Sequence, residues 1–205
     1  RIAEKYNLEL SKFQTGKEKL VPGATYSIQE IITEEDGTET RGEAKTGVTN
    51  AQGQLTITNL YAEKTYEIRE IKTPDNYELN NEVIRFIGHV DENGILTIEK
   101  TGETKQDPQV IKEDGEDYKV TVEVEDEVKA SIKITKKEQG TDTVLAGVRY
   151  KLTGYNLPET GKTIRTNSNG EASINGISIN QEYTLEEIKA DGYYLASPIK
   201  FKVVN

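Results

Sequence analysis

The chain has 205 residues, with 36 acidic against 26 basic side chains and a net charge of −10, a balance that repels nucleic-acid phosphates and anionic lipid. Cysteine, methionine and tryptophan are absent, which excludes disulfides, thiolate chemistry and sulfur-ligated metals; no apolar run approaches the ~20 residues of a membrane span. With 34% hydrophobic residues and a mean hydropathy of −0.69, a core has to come from thin, alternating strands of valine, isoleucine, threonine and tyrosine.

Strand signals recur about every ten residues, separated by turn chemistry at Glu35-Asp-Gly37, Asn50-Ala-Gln-Gly53, Pro74-Asp-Asn76, Asp91-Glu-Asn-Gly94, Asn167-Ser-Asn-Gly170 and Asp191-Gly192. The pattern predicts strands over 6–13, 24–33, 39–48, 53–59, 64–72, 82–90, 95–99 and 117–126, with residues 100–116 as a charged loop. It then predicts strands over 131–137, 148–155, 162–167, 171–176, 182–189 and 198–204. No segment holds a helical apolar period over three turns, so the fold is expected to be all-β.

The two series repeat one another. Leu8-Glu-Leu-Ser-Lys12 matches Ile132-Lys-Ile-Thr-Lys136, and Gly23-Ala-Thr-Tyr-Ser-Ile28 matches Gly147-Val-Arg-Tyr-Lys-Leu152 without a gap. The repeat predicts two tandem domains, 1–127 and 128–205, joined end to end by a linker too short for much hinge freedom. Aligning Phe86 with Phe201 places Val203 to Asn205 level with Gly88 to Val90. The first domain is therefore expected to be complete and the second to lack its last strand.

In both copies the inward phase of the first strand ends on a lysine, a costly residue to aim at a core. The inward phase of Tyr66-Glu-Ile-Arg-Glu70 ends on Glu70, and that of Tyr183-Thr-Leu-Glu-Glu187 on Glu187. Val120, Val122, Val124 and Asp126 share a face in the first copy's closing strand. A buried salt bridge is the plain explanation for any one such pair. Three ionisable groups cost more, because one carboxyl must stay neutral or uncompensated. Burial lowers the pKa of a lysine and raises that of a glutamic acid, and a neutral amine beside a carboxylic acid is the arrangement for amide formation. Lysine Nζ would attack the side-chain carbonyl carbon of an Asp or Asn while the acid shuttles protons.

These residues carry a family resemblance. Lys12 or Lys136, the Gly-x-x-Tyr step at Gly23 and Gly147, and the stretch Tyr66-Glu-Ile-Arg-Glu-Ile-Lys-Thr-Pro-Asp-Asn-Tyr77, which resembles the pilin E-box, together resemble the collagen-adhesin B-type (CnaB, SpaA-like pilin) domains of Gram-positive surface proteins. The resemblance implies immunoglobulin-like, prealbumin-like β-sandwiches. It also implies an isopeptide cross-link from the first-strand lysine to an Asn or Asp of the last strand, assisted by the E-box acid: Lys12, Glu70 and Asp126 here. Asp126 stands where asparagine is commoner, so water would be the leaving group. Lys136 and Glu187 form the second pair; their acceptor is expected to be absent from the chain, with Asn205, in phase with Ile199, Phe201 and Val203, as the alternative.

Other signals carry less. Leu157-Pro-Glu-Thr-Gly161 spells a sortase pentapeptide but is followed by patterned domain, so a hairpin loop is expected. His89 has no ligand companion and reads as a strand-end residue. The acidic runs at 34–36 and 113–117 lack the spacing of a calcium loop, and Tyr26, Tyr66, Tyr150 and Tyr183 fall on inward phase, as core. No metal and no cofactor is expected. The reading is a structural stalk region of a Gram-positive adhesin or pilin, extracellular and anchored to the wall through regions outside this chain. It turns over no substrate beyond its own single-turnover cross-links. Its partners would be neighbouring domains of the same protein and a host ligand at a tip elsewhere, with no nucleic acid and no membrane. The rival is a host-matrix or glycan-binding module using the loops 33–47 and 100–116.

Overall fold

A computed structural model of the chain describes residues 4–204, and all the regular elements among them are β-strands. The chain divides into two compact units, Arg1–Glu127 and Val128–Asn205. The first contains β1 (Lys5–Gln14), β2 (Thr25–Thr33), β3 (Glu39–Arg41), β4 (Lys45–Val48), β5 (Gln54–Tyr61), β6 (Thr65–Lys72), β7 (Val83–Val90), β8 (Leu96–Thr101), β9 (Gln109–Ile111) and β10 (Tyr118–Asp126).

These strands form two sheets, one in the order β5-β1-β10-β9 and the other in the order β3-β2-β6-β7-β8, with β4 also paired to β2. The first and last long strands, β1 and β10, run parallel, setting Leu8 opposite Val120, Leu10 opposite Val122, Lys12 opposite Val124 and Gln14 opposite Asp126. A parallel pair cannot be closed by a hairpin; here the whole second sheet is the crossover. Alternation puts Tyr6, Leu8, Leu10, Val120, Val122 and Val124 in one buried cluster with Tyr26, Ile28, Ile68, Ile84 and Phe86. Each large side chain buried there contributes roughly 1.5–3 kcal/mol over leaving it exposed.

Two details depart from the sequence pattern. The strand expected over 39–48 is broken at Gly42, whose N–H donates to the Glu30 carbonyl while its own carbonyl accepts from the Gln29 amide, so β2 pairs with two short strands. The expected loop 100–116 contains β9, which pairs antiparallel with β10 and packs Val110 against the core.

The second unit contains β11 (Ala130–Thr135), β12 (Arg149–Gly154), β13 (Lys162–Arg165), β14 (Glu171–Ile177), β15 (Glu182–Lys189) and β16 (Ile199–Lys202). Its sheets are β11-β14 and β13-β12-β15-β16. Phe201 lies opposite Tyr183 as Phe86 lies opposite Tyr66, so the two units share their interior pairing. Among the described residues β11 has a strand on one side only.

Candidate functional site

The site of the first unit is built from β1, β2, β6 and β10 and from the turns before β5 and after β6. The Lys12 backbone is pinned from both sides: its N–H donates to the Gly53 carbonyl at 2.7 Å, and its carbonyl accepts from the Val21 N–H at 2.9 Å. Gly53 has φ +68° and lies so close that a Cβ there would sit 2.8 Å from the Lys12 carbonyl oxygen, so only glycine allows this approach. The Lys12 side chain is wholly buried. Its Nζ lies 2.5 Å from Asp126 Oδ1, 2.8 Å from Glu70 Oε2 and 5.4 Å from the centre of the Tyr26 ring. Glu70 comes from β6, opposite Tyr26 of β2. Asp126 ends β10, and its second oxygen, Oδ2, accepts from the Thr73 hydroxyl at 2.8 Å.

One cation against two carboxylates leaves a surplus negative charge in a site closed to water. Burial pushes the Glu70 carboxyl up to about 7, with Asp126 adding to the rise and the Lys12 ammonium opposing it. Burial also pushes the Tyr26 hydroxyl up, reinforced by the charges of Glu70 and Asp126, so it stays a phenol facing Glu70 Oε2 at 3.4 Å. With Oε2 taken by Lys12 and Tyr26, Glu70 Oε1 is buried without a partner among the described residues and is the place for the proton. The arrangement thus sets an amine nitrogen against a carboxyl, beside a second carboxyl that carries a proton up to about neutral pH.

The second unit reproduces half of this. Lys136 N–H donates to the Gly170 carbonyl at 2.8 Å and its carbonyl accepts from Leu145 at 2.9 Å; a Cβ on Gly170 would again lie 2.8 Å from the lysine carbonyl oxygen. Lys136 Nζ meets Glu187 Oε2 at 2.9 Å, and Tyr150 lies opposite Glu187 with its hydroxyl pushed up to about 12 by burial. Ala190 stands where Thr73 would be. Among the described residues Glu187 is the one carboxylate within salt-bridge reach, and the Lys136 side chain is 21% exposed where that of Lys12 is 0%. Asn205 lies outside the described residues.

Sequence parity located Lys12, Glu70 and Asp126, and missed Gly53, Thr73 and Glu67. Thr73 sits past the end of β6, in the turn. Glu67 points outward from β6 yet is buried under Arg41, Arg69 and Arg85; burial alone would raise its pKa, but the hydrogen bonds from Arg85, Arg69 and Arg41 outweigh that and hold it at about 2. The cross-strand pairing of Glu67 with Arg85 was the available signal.

The remaining candidates fall elsewhere. Leu157 to Gly161 forms the loop between β12 and β13, with Leu157 packed against the second core. His89 lies in β7, its ring nitrogens 2.9 Å from Glu63 and 2.7 Å from Glu99, carboxylates that raise its pKa. Among the described residues no group of His, Asp and Glu side chains is arranged to hold a metal, and no helix is long and apolar enough to cross a membrane. The groove beside loop 100–116 is lined by Lys105, Glu82, Lys17 and Glu123, paired into salt bridges.

The profile of the SpaA prealbumin-like fold domain matches residues 6–106 and 130–205. The chain belongs to this SpaA family. Both matched segments include the lysine–glutamate pair of their unit, Lys12 with Glu70 and Lys136 with Glu187. Among solved structures, the shaft pilin SpaA from Lactobacillus rhamnosus GG aligns over 98% of this chain and 94% of its own, at 17% identity and a TM-score of 0.52. A mutant of that pilin aligns over the same shares at 16% identity and a TM-score of 0.53. At such identity the likeness is one of fold: tandem all-β, prealbumin-like units. No curated protein matches the chain in sequence.

Proposed function

We propose that this chain is a load-bearing stalk region of a Gram-positive surface adhesin or pilin, and that its first unit is locked by an isopeptide bond between Lys12 and Asp126. One proton of the Lys12 ammonium passes to Asp126 Oδ1, 2.5 Å away, leaving a neutral amine beside a carboxylic acid; Nζ then attacks Cγ, and the C–N bond forms as the bond from carbon to the protonated oxygen breaks and water leaves. Glu70, protonated below about 7, gives a proton to the departing oxygen and recovers one from the nitrogen. The Thr73 hydroxyl holds the other Asp126 oxygen and steadies charge that develops there. The reaction runs once, within the chain, and the protein has no outside substrate.

The observation that carries this reading is a wholly buried lysine clamped between two carboxyls at 2.5 and 2.8 Å. The position of the bond supports a mechanical role. Lys12 and Asp126 lie near the C-terminal ends of two parallel neighbouring strands. Tension entering along β1 crosses at Lys12 to Asp126 and leaves at Glu127, so residues 13–125 lie outside the load path. SpaA membership agrees with a structural role, as does the pairing into salt bridges of Lys105 with Glu82 and of Lys17 with Glu123 in the groove beside loop 100–116; the partners are neighbouring domains of the same extracellular, wall-attached protein.

Intact-mass measurement tests the bond. The expected mass is about 18 Da below that of the sequence, one water for one condensation, with a peptide joining Lys12 to Asp126 after digestion. A mass equal to the sequence mass overturns the reading.

A further inference from the structure

The segment between β8 and β9 folds back beside the site of the first unit, and side chains pin it there. The Thr104 hydroxyl accepts from the Arg85 N–H at 2.8 Å and donates to the Thr101 carbonyl at 2.8 Å. Lys105 Nζ meets Glu82 Oε1 at 2.8 Å, and the Gln106 amide nitrogen donates to Glu82 Oε2 at 2.7 Å. Glu82 is fixed in turn by its own N–H, which donates to the Asn80 side-chain carbonyl at 2.8 Å. An ionised carboxylate only accepts, so Gln106 has to turn its nitrogen toward Glu82 and its oxygen the other way.

The other way is inward. Gln106 Oε1 is buried without a partner among the described residues, as Glu70 Oε1 is. Gln106 and Glu70 line one cavity of about 10 Å³, whose apolar walls are Ile68, Ile84 and Val124. That volume has room for about one water molecule, and a water needs polar partners to stay in such a space. Two oxygens supply them. A protonated Glu70 also brings a donor, and its O–H belongs on Oε1, because Oε2 already accepts from Lys12 and faces the Tyr26 hydroxyl. A buried O–H needs an acceptor.

We infer that this cavity is a site for one water molecule, and that Gln106 is a positioning residue that turns this water to accept the proton of Glu70. Glu70 Oε1–H donates to the water, the water donates to Gln106 Oε1, and Gln106 Nε2–H donates to Glu82. Every bond in the chain points the same way, from a buried acid to an exposed carboxylate, so the bonds reinforce one another. Glu82 suits the outer end: the Lys105 ammonium, helped by the Gln106 amide, holds its carboxyl below the usual range, and it remains an acceptor. The water takes part in no bond change. It holds the proton on the oxygen turned away from Lys12 and leaves Oε2 bare toward Nζ. The site stands on the cavity and its two oxygens; its effect on the reaction rests on the cross-linking reading above.

The test uses the full chain and Gln106→Met, which keeps the length of the side chain and removes the acceptor. Glu70 is faced by Lys12 from β1, Tyr26 from β2, Asp126 from β10 and, across the cavity, Glu82; the variant alters none of them. A crystal structure that shows ordered water should place one within hydrogen-bond reach of both Glu70 Oε1 and Gln106 Oε1. No water bridging those two oxygens overturns the site. In the infrared, the carboxylic-acid C=O band that Glu70→Gln removes should move to higher frequency in Gln106→Met, because the acid O–H is more weakly bonded. The neutral acid loses one hydrogen bond of support, so the pH midpoint of cross-linking should fall by about 0.5–1 unit. Above that midpoint the bond should form about three- to tenfold more slowly. An unmoved band, or a midpoint that stays or rises, overturns the role of Gln106. The mass deficit of the parent is read in the same samples: a bridging water without a deficit sinks the cross-link and keeps the site, and a deficit without the water does the reverse.

Discussion

Replacing Glu70 by glutamine separates the covalent bond from everything else at the site. Glutamine has the shape of a protonated glutamic acid and can accept from Lys12, but it cannot relay a proton. Without the bond, Lys12 and Asp126 remain a buried ion pair of zero net charge, so the variant loses the cross-link without stranding a charge. The bond would join residues 114 apart, and closing a loop of that size removes about 5 kcal/mol of chain entropy from the unfolded state. Unfolding a unit of residues 1–127 carries an entropy of about 0.27 kcal/mol/K, so Glu70→Gln should lower the Tm of the first unit by about 15–20 °C. Differential scanning calorimetry would show that transition move and the transition of the second unit stay. Intact mass should show the deficit of one water disappear. If Glu70→Gln keeps the deficit, Glu70 is not the acid; if it loses the deficit but melts within about 3 °C of the parent, the loop-closure argument is wrong.

Four further outcomes follow from the same geometry. Gly53→Ala, with a Cβ placed 2.8 Å from the Lys12 carbonyl at φ +68°, should displace the lysine and slow cross-linking at least tenfold, seen in masses taken at intervals after synthesis; Gly170→Ala should leave that rate alone. Thr73→Val removes the donor to Asp126 Oδ2, a loss of about 1 kcal/mol and so a roughly fivefold slower bond in the same assay. Glu70 has its pKa raised to about 7, so its active, protonated form is present below that value and is lost as pH rises through it; a cross-linking rate that keeps climbing above pH 7 contradicts its role. Glu67 has its pKa depressed from 4.5 to about 2, so its stabilisation is present above 4.5 and is lost as pH falls toward 2. Glu67→Gln should therefore cost about 1–3 kcal/mol at neutral pH, allowing for screening at the half-exposed arginines, and the gap in urea midpoints should close near pH 2.

What the sequence made legible was parity. A strand has a period of two, so each of Lys12, Glu70 and Asp126 could be assigned to the inner face from its own few neighbours, and one residue of slippage would have sent the whole set outward. The all-β fold was legible for the same reason. Parity fails where the chain leaves a strand, which hid Thr73 in the turn after β6. It also fails where outward does not mean solvated: Glu67 has the wrong phase for burial and is buried by three arginines. The three residues of β9 were too few to show a period among charged flanks. Burial itself lies beyond parity, because the neighbouring strand decides it. Lys12 and Lys136 have the same phase, the same pinned backbone and the same acid within 3 Å, at 2.8 and 2.9 Å. Among the described residues they differ in the strand alongside, since β10 brings Asp126 to Lys12, and in the turn after the acid, where Ala190 stands in place of Thr73. By this argument the sequence around a lysine sets its phase and its acid, and the strand laid beside it sets how deeply it is buried and what it can react with.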